Sequence, residues 1–134
     1  MTGRSAVYLD SSAIVKLVAE EAESNALLRY LAERPARFTS QIARIEVPRA
    51  LARAHGADAA RAAVPVLDRI VTVALDDQIV SIAAQLAPSG LRTLDAVHLA
   101  SAMAVGEELD VVVAYDHRLG DAARRAGLAV ASPR

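Results

Sequence analysis

The sequence predicts an α/β domain, with a mostly parallel central sheet of about five strands covered by helices on both faces. Two observations carry that expectation. Short β-branched or apolar runs alternate with longer alanine- and leucine-rich stretches of helical spacing. Runs such as Val111, Val112, Val113 and Ala114 are apolar without alternation, as in strands buried on both faces. With 134 residues, 54% of them hydrophobic, the chain has the size and composition of one domain, residues 1–134, with a core of its own.

The elements follow in order. A strand over Ala6–Leu9 leads into a helix that Ser11 or Ser12 can cap and that runs to about Ala19. A second helix covers roughly Ala22–Glu33 before Pro35, and a weak strand follows at Arg37–Thr39. Ser40 can cap a helix from about Gln41 to Ala54, with Pro48 inside to bend it. Asp58 to Ile70 reads as helical around Pro65, and Val71–Leu75 as a strand. Asp76 and Asp77 then serve as cap and first turn of a helix that stops at Pro88, Ser89 and Gly90. Thr93 caps "LDAVHLASAMAV", which ends near Gly106. Strands at Val111–Ala114 and Leu128–Ala131 bracket a last helix from His117 to Ala126, stopped by Gly127.

Composition removes several functions. One Phe, three Tyr and no Trp leave little for base-stacking platforms. Fifteen Lys+Arg against sixteen Asp+Glu give a formal charge of −1, not the basic footprint of a DNA-coating protein. Without cysteine there is no disulfide, thiolate zinc site or cysteine nucleophile. His55, His98 and His117 are too scattered for a zinc motif, and no glycine-rich phosphate loop or nucleophile elbow is present. The opening "MTGRSAVYLD" lacks an apolar h-region, and no apolar run approaches the ~20 residues that span a bilayer. A cytoplasmic protein with no membrane partner is the expectation.

Four acids stand out by position. Asp10 ends the first strand in "VYLDSSAIVKL", and Asp116 directly follows "VVVAY". In open α/β sheets, functional groups gather outside the carboxyl ends of strands, at a topological switch point. Glu46, between Ile45 and Val47, and Asp95, in "TLDAVHLASA", sit among apolar neighbours on helices. Each has an ordinary alternative. A first-turn aspartate gains ~0.3–1 kcal/mol from the helix N-terminus, and Glu46 in mid-helix can lie on a solvated face with Arg49 at i+3. Glu20, Glu21, Glu23 and Asp121 read as solvated faces, Asp58 as a helix start and Asp110 as a loop residue. Ser11 and Ser12 read first as helix caps, with orientation of Asp10 as their other possible task. Lys16 reads as a surface lysine and His98 as a packed or supporting histidine.

Taken together, "VYLDSSAIVKL", "IARIEVPRAL", "TLDAVHLASA" and "VVVAYDHRLGDAARRAGL" resemble the PIN-domain ribonucleases, in particular the VapC-like toxins of toxin–antitoxin pairs. The likeness spans nearly the whole chain, in order and at typical spacing. It implies a PIN-like three-layer α/β/α fold and hydrolysis of RNA phosphodiester bonds. It makes Asp10, Glu46, Asp95 and Asp116 the catalytic acids and the ligands of one or two Mg²⁺ or Mn²⁺ ions. It also implies a VapB-like antitoxin, whose arginine could take the metal's place, and a homodimer. One departure is visible: the family often carries Thr or Ser two residues before the last acid, where this chain has Ala114.

The chemistry suits these residues. Two carboxylates ~4 Å apart repel by about 4 kcal/mol at an effective dielectric near 20, so crowding should raise their pKa values unless a cation is bound. Hard divalent cations prefer such oxygen ligands. Without its four acids, a chain of −1 would carry +3, a mildly positive surface for RNA. Arg44, Arg49, Arg53 and Arg118 lie near the acids in sequence as candidate phosphate holders. Two other readings are weighed against the nuclease: a catalytically inactive PIN-like RNA-binding module, and a phosphoacceptor receiver domain. The second would need an acidic pair after strand one and a late lysine, but the chain's single lysine is Lys16.

Overall fold

The first strand, β1 (Ala6–Leu9), divides its side chains between two apolar cores, and the layers are arranged around that alternation. The structure, a computed structural model, describes residues 5–134; the first four residues of the opening segment discussed above lie outside them. Val7 and Leu9 pack against α1 (Ser11–Val18), α2 (Ser24–Leu31), α3 (Ala43–His55) and α4 (Ala57–Leu67). Tyr8 faces the other way, into a core with Leu99 of α6 (Thr93–Val105) and Leu119 of α7 (His117–Arg125). A smaller cluster joins Ile79 of α5 (Asp77–Gln85) to Ile42, Val97 and Ala100.

The remaining strands are β2 (Arg37–Ser40), β3 (Val71–Val73), β4 (Leu109–Val113) and β5 (Val130–Ala131). The five strands lie in the order β3-β2-β1-β4-β5, and every neighbouring pair is parallel. The chain builds outward from β1 through β2 to β3, then crosses to the opposite side for β4 and β5. The switch point therefore falls between β1 and β4, where Leu9 pairs with Val113 and Asp10 N–H bonds the Val113 carbonyl at 3.1 Å.

Several bounds differ from expectation. β4 begins at Leu109, so Asp110 is an exposed strand residue and not part of a loop. β3 stops at Val73, and the Leu75 N–H turns to the Gln41 side chain. β5 is reduced to Val130 and Ala131. α3 and α4 run through Pro48 and Pro65, each proline removing one intrahelical donor. Lys16 is no free surface lysine. It pairs with Glu21 and Glu23 at 2.9 and 3.0 Å and stands over the Tyr115 ring, so Glu21 and Glu23 are not simply solvated. Among the described residues no helix is long and apolar enough to cross a membrane.

Candidate active site

The four acids singled out from the sequence line one cleft of about 330 Å³ at the switch point, together with Ser11, Ser12, Arg92, Thr93, Leu94 and His98. Each reaches it from the start of a helix. Asp10 itself caps α1, accepting from the Ala13 N–H at 2.9 Å, so neither serine is the cap expected there. Ser12 instead donates to both Asp10 oxygens, at 2.7 and 2.9 Å, and accepts from the Tyr115 N–H. That single hydroxyl ties the turn after β1 to the turn after β4.

Asp116 caps α7 through Oδ1, which accepts from the Arg118 and Leu119 N–H groups at 2.8 and 3.2 Å. Its carboxylate is thus fixed by backbone. Ala114, where the family often has a hydroxyl, is buried in the core and its carbonyl accepts from Ser132. Asp95 lies in the first turn of α6, whose capping position is Arg92 and not the expected Thr93. Likewise Ser40 does not cap α3; the helix begins after Ile42, which puts Glu46 in its first turn. The solvated-face reading of Glu46 fails as well. Its side chain is 25% exposed, and Oε1 accepts from Ser11 at 2.7 Å and contacts His98 Nε2 at 2.7 Å.

Electrostatics separate Asp10 and Asp95 from Glu46. Asp10 is 3% exposed, and burial pushes its pKa from 3.8 up to about 6, against hydrogen bonds from Ser12 and Ala13 that pull it down. Burial also raises Asp95, with the Asp116 charge adding to it. Glu46 goes the other way: burial raises it, but the His98 and Ser11 hydrogen bonds together outweigh burial and leave it lowered. The sequence pointed to crowding as the leading cause of the raised values; desolvation is the leading cause for Asp10 and Asp95.

The donor set fits a hydrated divalent ion. Asp95 Oδ2 is buried without a hydrogen-bond partner, an arrangement that normally costs ~1–3 kcal/mol. Among the described residues no three acidic or histidine side chains stand close enough to form a ready cage. Mg²⁺ does not require one, because it keeps several waters and takes one or two carboxylates.

The arginines distribute unevenly. Arg49 and Arg53 line a groove continuous with the cleft through Ser11, Ser12, Glu46 and Leu94. Arg44 instead pairs with Asp68 at 2.9 Å, and Arg118 lines a separate pocket with Arg125. Arg92, absent from the sequence reading, is the arginine inside the cleft. Its signal was its place three residues before Asp95.

A five-stranded parallel α/β/α domain with four carboxylates at its switch point has the build of the PIN class, and residues 7–125 match the PIN domain. The chain is 46% identical over 128 residues to Ribonuclease VapC46 of Mycobacterium tuberculosis, covering 96% of this chain and 98% of that one. It belongs to the PIN-domain family and, within it, to the VapC ribonucleases. Several solved structures share its fold, and two illustrate it. Mycobacterium tuberculosis VapC20, a sarcin-ricin loop cleaving toxin, superposes with a TM-score of 0.73 at 20% identity, over 91% of this chain and 95% of that one. VapBC2 from Rickettsia felis, bound to a DNA fragment from its promoter, gives 0.70 at 12% identity, over 96% and 99%.

Proposed function

We propose that this chain, acting as one domain over residues 1–134, is a Mg²⁺- or Mn²⁺-dependent endoribonuclease and the toxin of a toxin–antitoxin pair. One observation carries the reading. Asp10, Glu46, Asp95 and Asp116 converge on a single cleft at the sheet's switch point, with Asp95 Oδ2 buried and unpartnered there. A bound divalent cation would supply Lewis-acid stabilisation of the charge that develops on the phosphate.

The chain's own residues do the rest. Ser12 and the Ala13 N–H fix Asp10, and the α7 cap uses Oδ1 alone of Asp116. Ser11 and His98 engage Oε1 alone of Glu46. Among the described residues, the second oxygens of Glu46 and Asp116 and the orphan Oδ2 of Asp95 are left as donors to an ion. Arg92 offers a cation to the reacting phosphate, and Arg49 and Arg53 offer seats to flanking phosphates of RNA.

A VapB-like antitoxin is the proposed partner, in keeping with family membership and with the VapBC2 neighbour. Homodimerisation is supported by Leu75 and Val80, both exposed beside an apolar groove of about 600 Å³ between α5 and α6. The cytoplasm is the compartment that suits an RNA substrate and such a partner.

The deciding experiment is RNA cleavage with added Mg²⁺ or Mn²⁺, compared between wild type and Asp95→Asn. Cleavage by the wild type and its loss in a folded Asp95→Asn protein is the expected result. Full activity in Asp95→Asn, purified free of contaminating nuclease, overturns the assignment. Expression alone should slow bacterial growth, with rescue by a small neighbouring open reading frame.

A further inference from the structure

From the floor of the cleft a chain of buried side chains leads back from Glu46 into the sheet. Tyr8, at the centre of the sheet, is fully buried, and its hydroxyl lies 2.7 Å from Nδ1 of His98. His98 is 3% exposed, and its Nε2 lies 2.7 Å from Glu46 Oε1. An ionised carboxylate can only accept, so Nε2 carries a proton, and in the neutral ring Nδ1 accepts from the tyrosine hydroxyl. Both ring nitrogens are then committed, and His98 has no lone pair left for a metal. Ser11 donates to the same Glu46 oxygen at 2.7 Å and touches Nε2 at 3.2 Å. Glu46 Oε1 is thus held from α1 and α6 at once, while the carboxylate belongs to α3.

A histidine buried only for packing needs partners but has no reason to choose a cleft carboxylate. This one spans from Tyr8 in the middle of β1, whose ring packs in the α6 and α7 layer, to Glu46 on α3 in the opposite layer. We propose that Tyr8 and His98 form a buried relay that fixes the orientation of Glu46 and so decides which of its oxygens faces the cleft. His98 is accordingly a positioning residue, acting through Glu46 and not on RNA. The inference rests on the reading that the four acids hold a divalent ion. Partners that orient a metal ligand typically matter by 10–100-fold in metal affinity or activity.

The test measures Mn²⁺ affinity by calorimetry and RNA cleavage kinetics in wild type, His98→Leu, His98→Gln, Tyr8→Phe and Asp95→Asn. His98→Leu should bind Mn²⁺ about 10–100-fold more weakly and lose a similar factor in kcat with KM for RNA unchanged. His98→Gln, whose amide can donate to Glu46, should recover most of both. Tyr8→Phe removes only a hydroxyl. Its imidazole should keep the Nε2–H tautomer that Glu46 fixes, while the Nδ1 ¹⁵N shift moves as its bond to the hydroxyl is lost, which keeps the proposal testable if His98→Leu does not fold. Wild-type affinity and kcat in folded His98→Leu, or an Nδ1 shift unchanged in Tyr8→Phe, would overturn the relay. So would a glutamine variant no better than leucine. If Asp95→Asn also keeps full affinity and cleavage, the metal-site reading itself has failed; if Asp95→Asn fails and His98→Leu does not, the relay alone has.

Discussion

Replacing Asp10 by Asn should make the metal-free protein more stable at neutral pH and leave it unchanged in acid. Asp10 is buried, and its folded pKa of about 6 stands above the 3.8 of the free side chain because the cleft floor desolvates it. A raised folded pKa means that the relative stability is fully present below about pH 3.8. It is lost as pH climbs through about 6. At 1.36 kcal/mol per pH unit between those values, the penalty reaches about 3 kcal/mol by pH 7. Asparagine carries no charge, is the same size, and can still accept from Ala13 and Ser12. The assay is urea denaturation in chelator from pH 4 to 8, taken as the difference between variant and wild type. That difference cancels Asp95, which contributes with the same sign, and Glu46, which contributes with the opposite sign. It should grow by about 3 kcal/mol across the window and then level off. A difference that stays flat from pH 4 to 7 would refute the argument that burial controls this carboxylate.

Three further outcomes follow from the same geometry. Mn²⁺ at a hundredfold excess over its Kd should stabilise the wild type by about 2.7 kcal/mol, seen as a higher melting temperature; Asp95→Asn should respond less, and no response in the wild type would argue against a metal site. Arg49→Ala with Arg53→Ala should raise KM for RNA and flatten its salt dependence while sparing kcat, because these side chains line the groove beside the cleft and not the cleft itself. Leu51→Ala, in the fully buried face of α3, should cost about 2–5 kcal/mol in denaturation without changing Mn²⁺ affinity, since the cavity it leaves lies in the core away from the carboxylates.

The layering was legible in the sequence because unbroken apolar strands and helical spacing are local signals. Val111 to Val113 lie in a strand covered on both faces, as their unbroken apolar run predicts. The positions of Asp10 and Asp116 were legible for the same reason, since each directly follows such a run. Helix starts were less so. Asp10, Ser11 and Ser12 all favour the capping position, and their order alone does not say which carboxylate or hydroxyl turns inward. The structure gives the cap to the acid and leaves each serine to hold a carboxylate. The start of α3 was set early because Gln41 and Ile42 look helical, yet they form a turn, and that shift changed the meaning of Glu46. Contacts made only in three dimensions were out of reach: Tyr8 with His98, ninety residues apart, and Lys16 with Glu21, Glu23 and Tyr115. Arg92 gives no local capping signal, because an arginine at a capping position matches no preference.

Because α1, α3, α6 and α7 each carry one of the cleft acids at the cap or in the first turn, four helix N-termini lie beside the same small volume. Each helix end carries roughly half a positive charge, so together they offset about two of the four negative ones. The fold therefore tolerates its acids before any cation arrives, and the cation need neutralise only the remainder. Asp10 and Asp116 are at the same time structural members of their helices. Alanine at either place would remove a cap worth about 1 kcal/mol along with the charge. Asparagine keeps the cap, and so separates what these residues do for the helix from what they do for the phosphate.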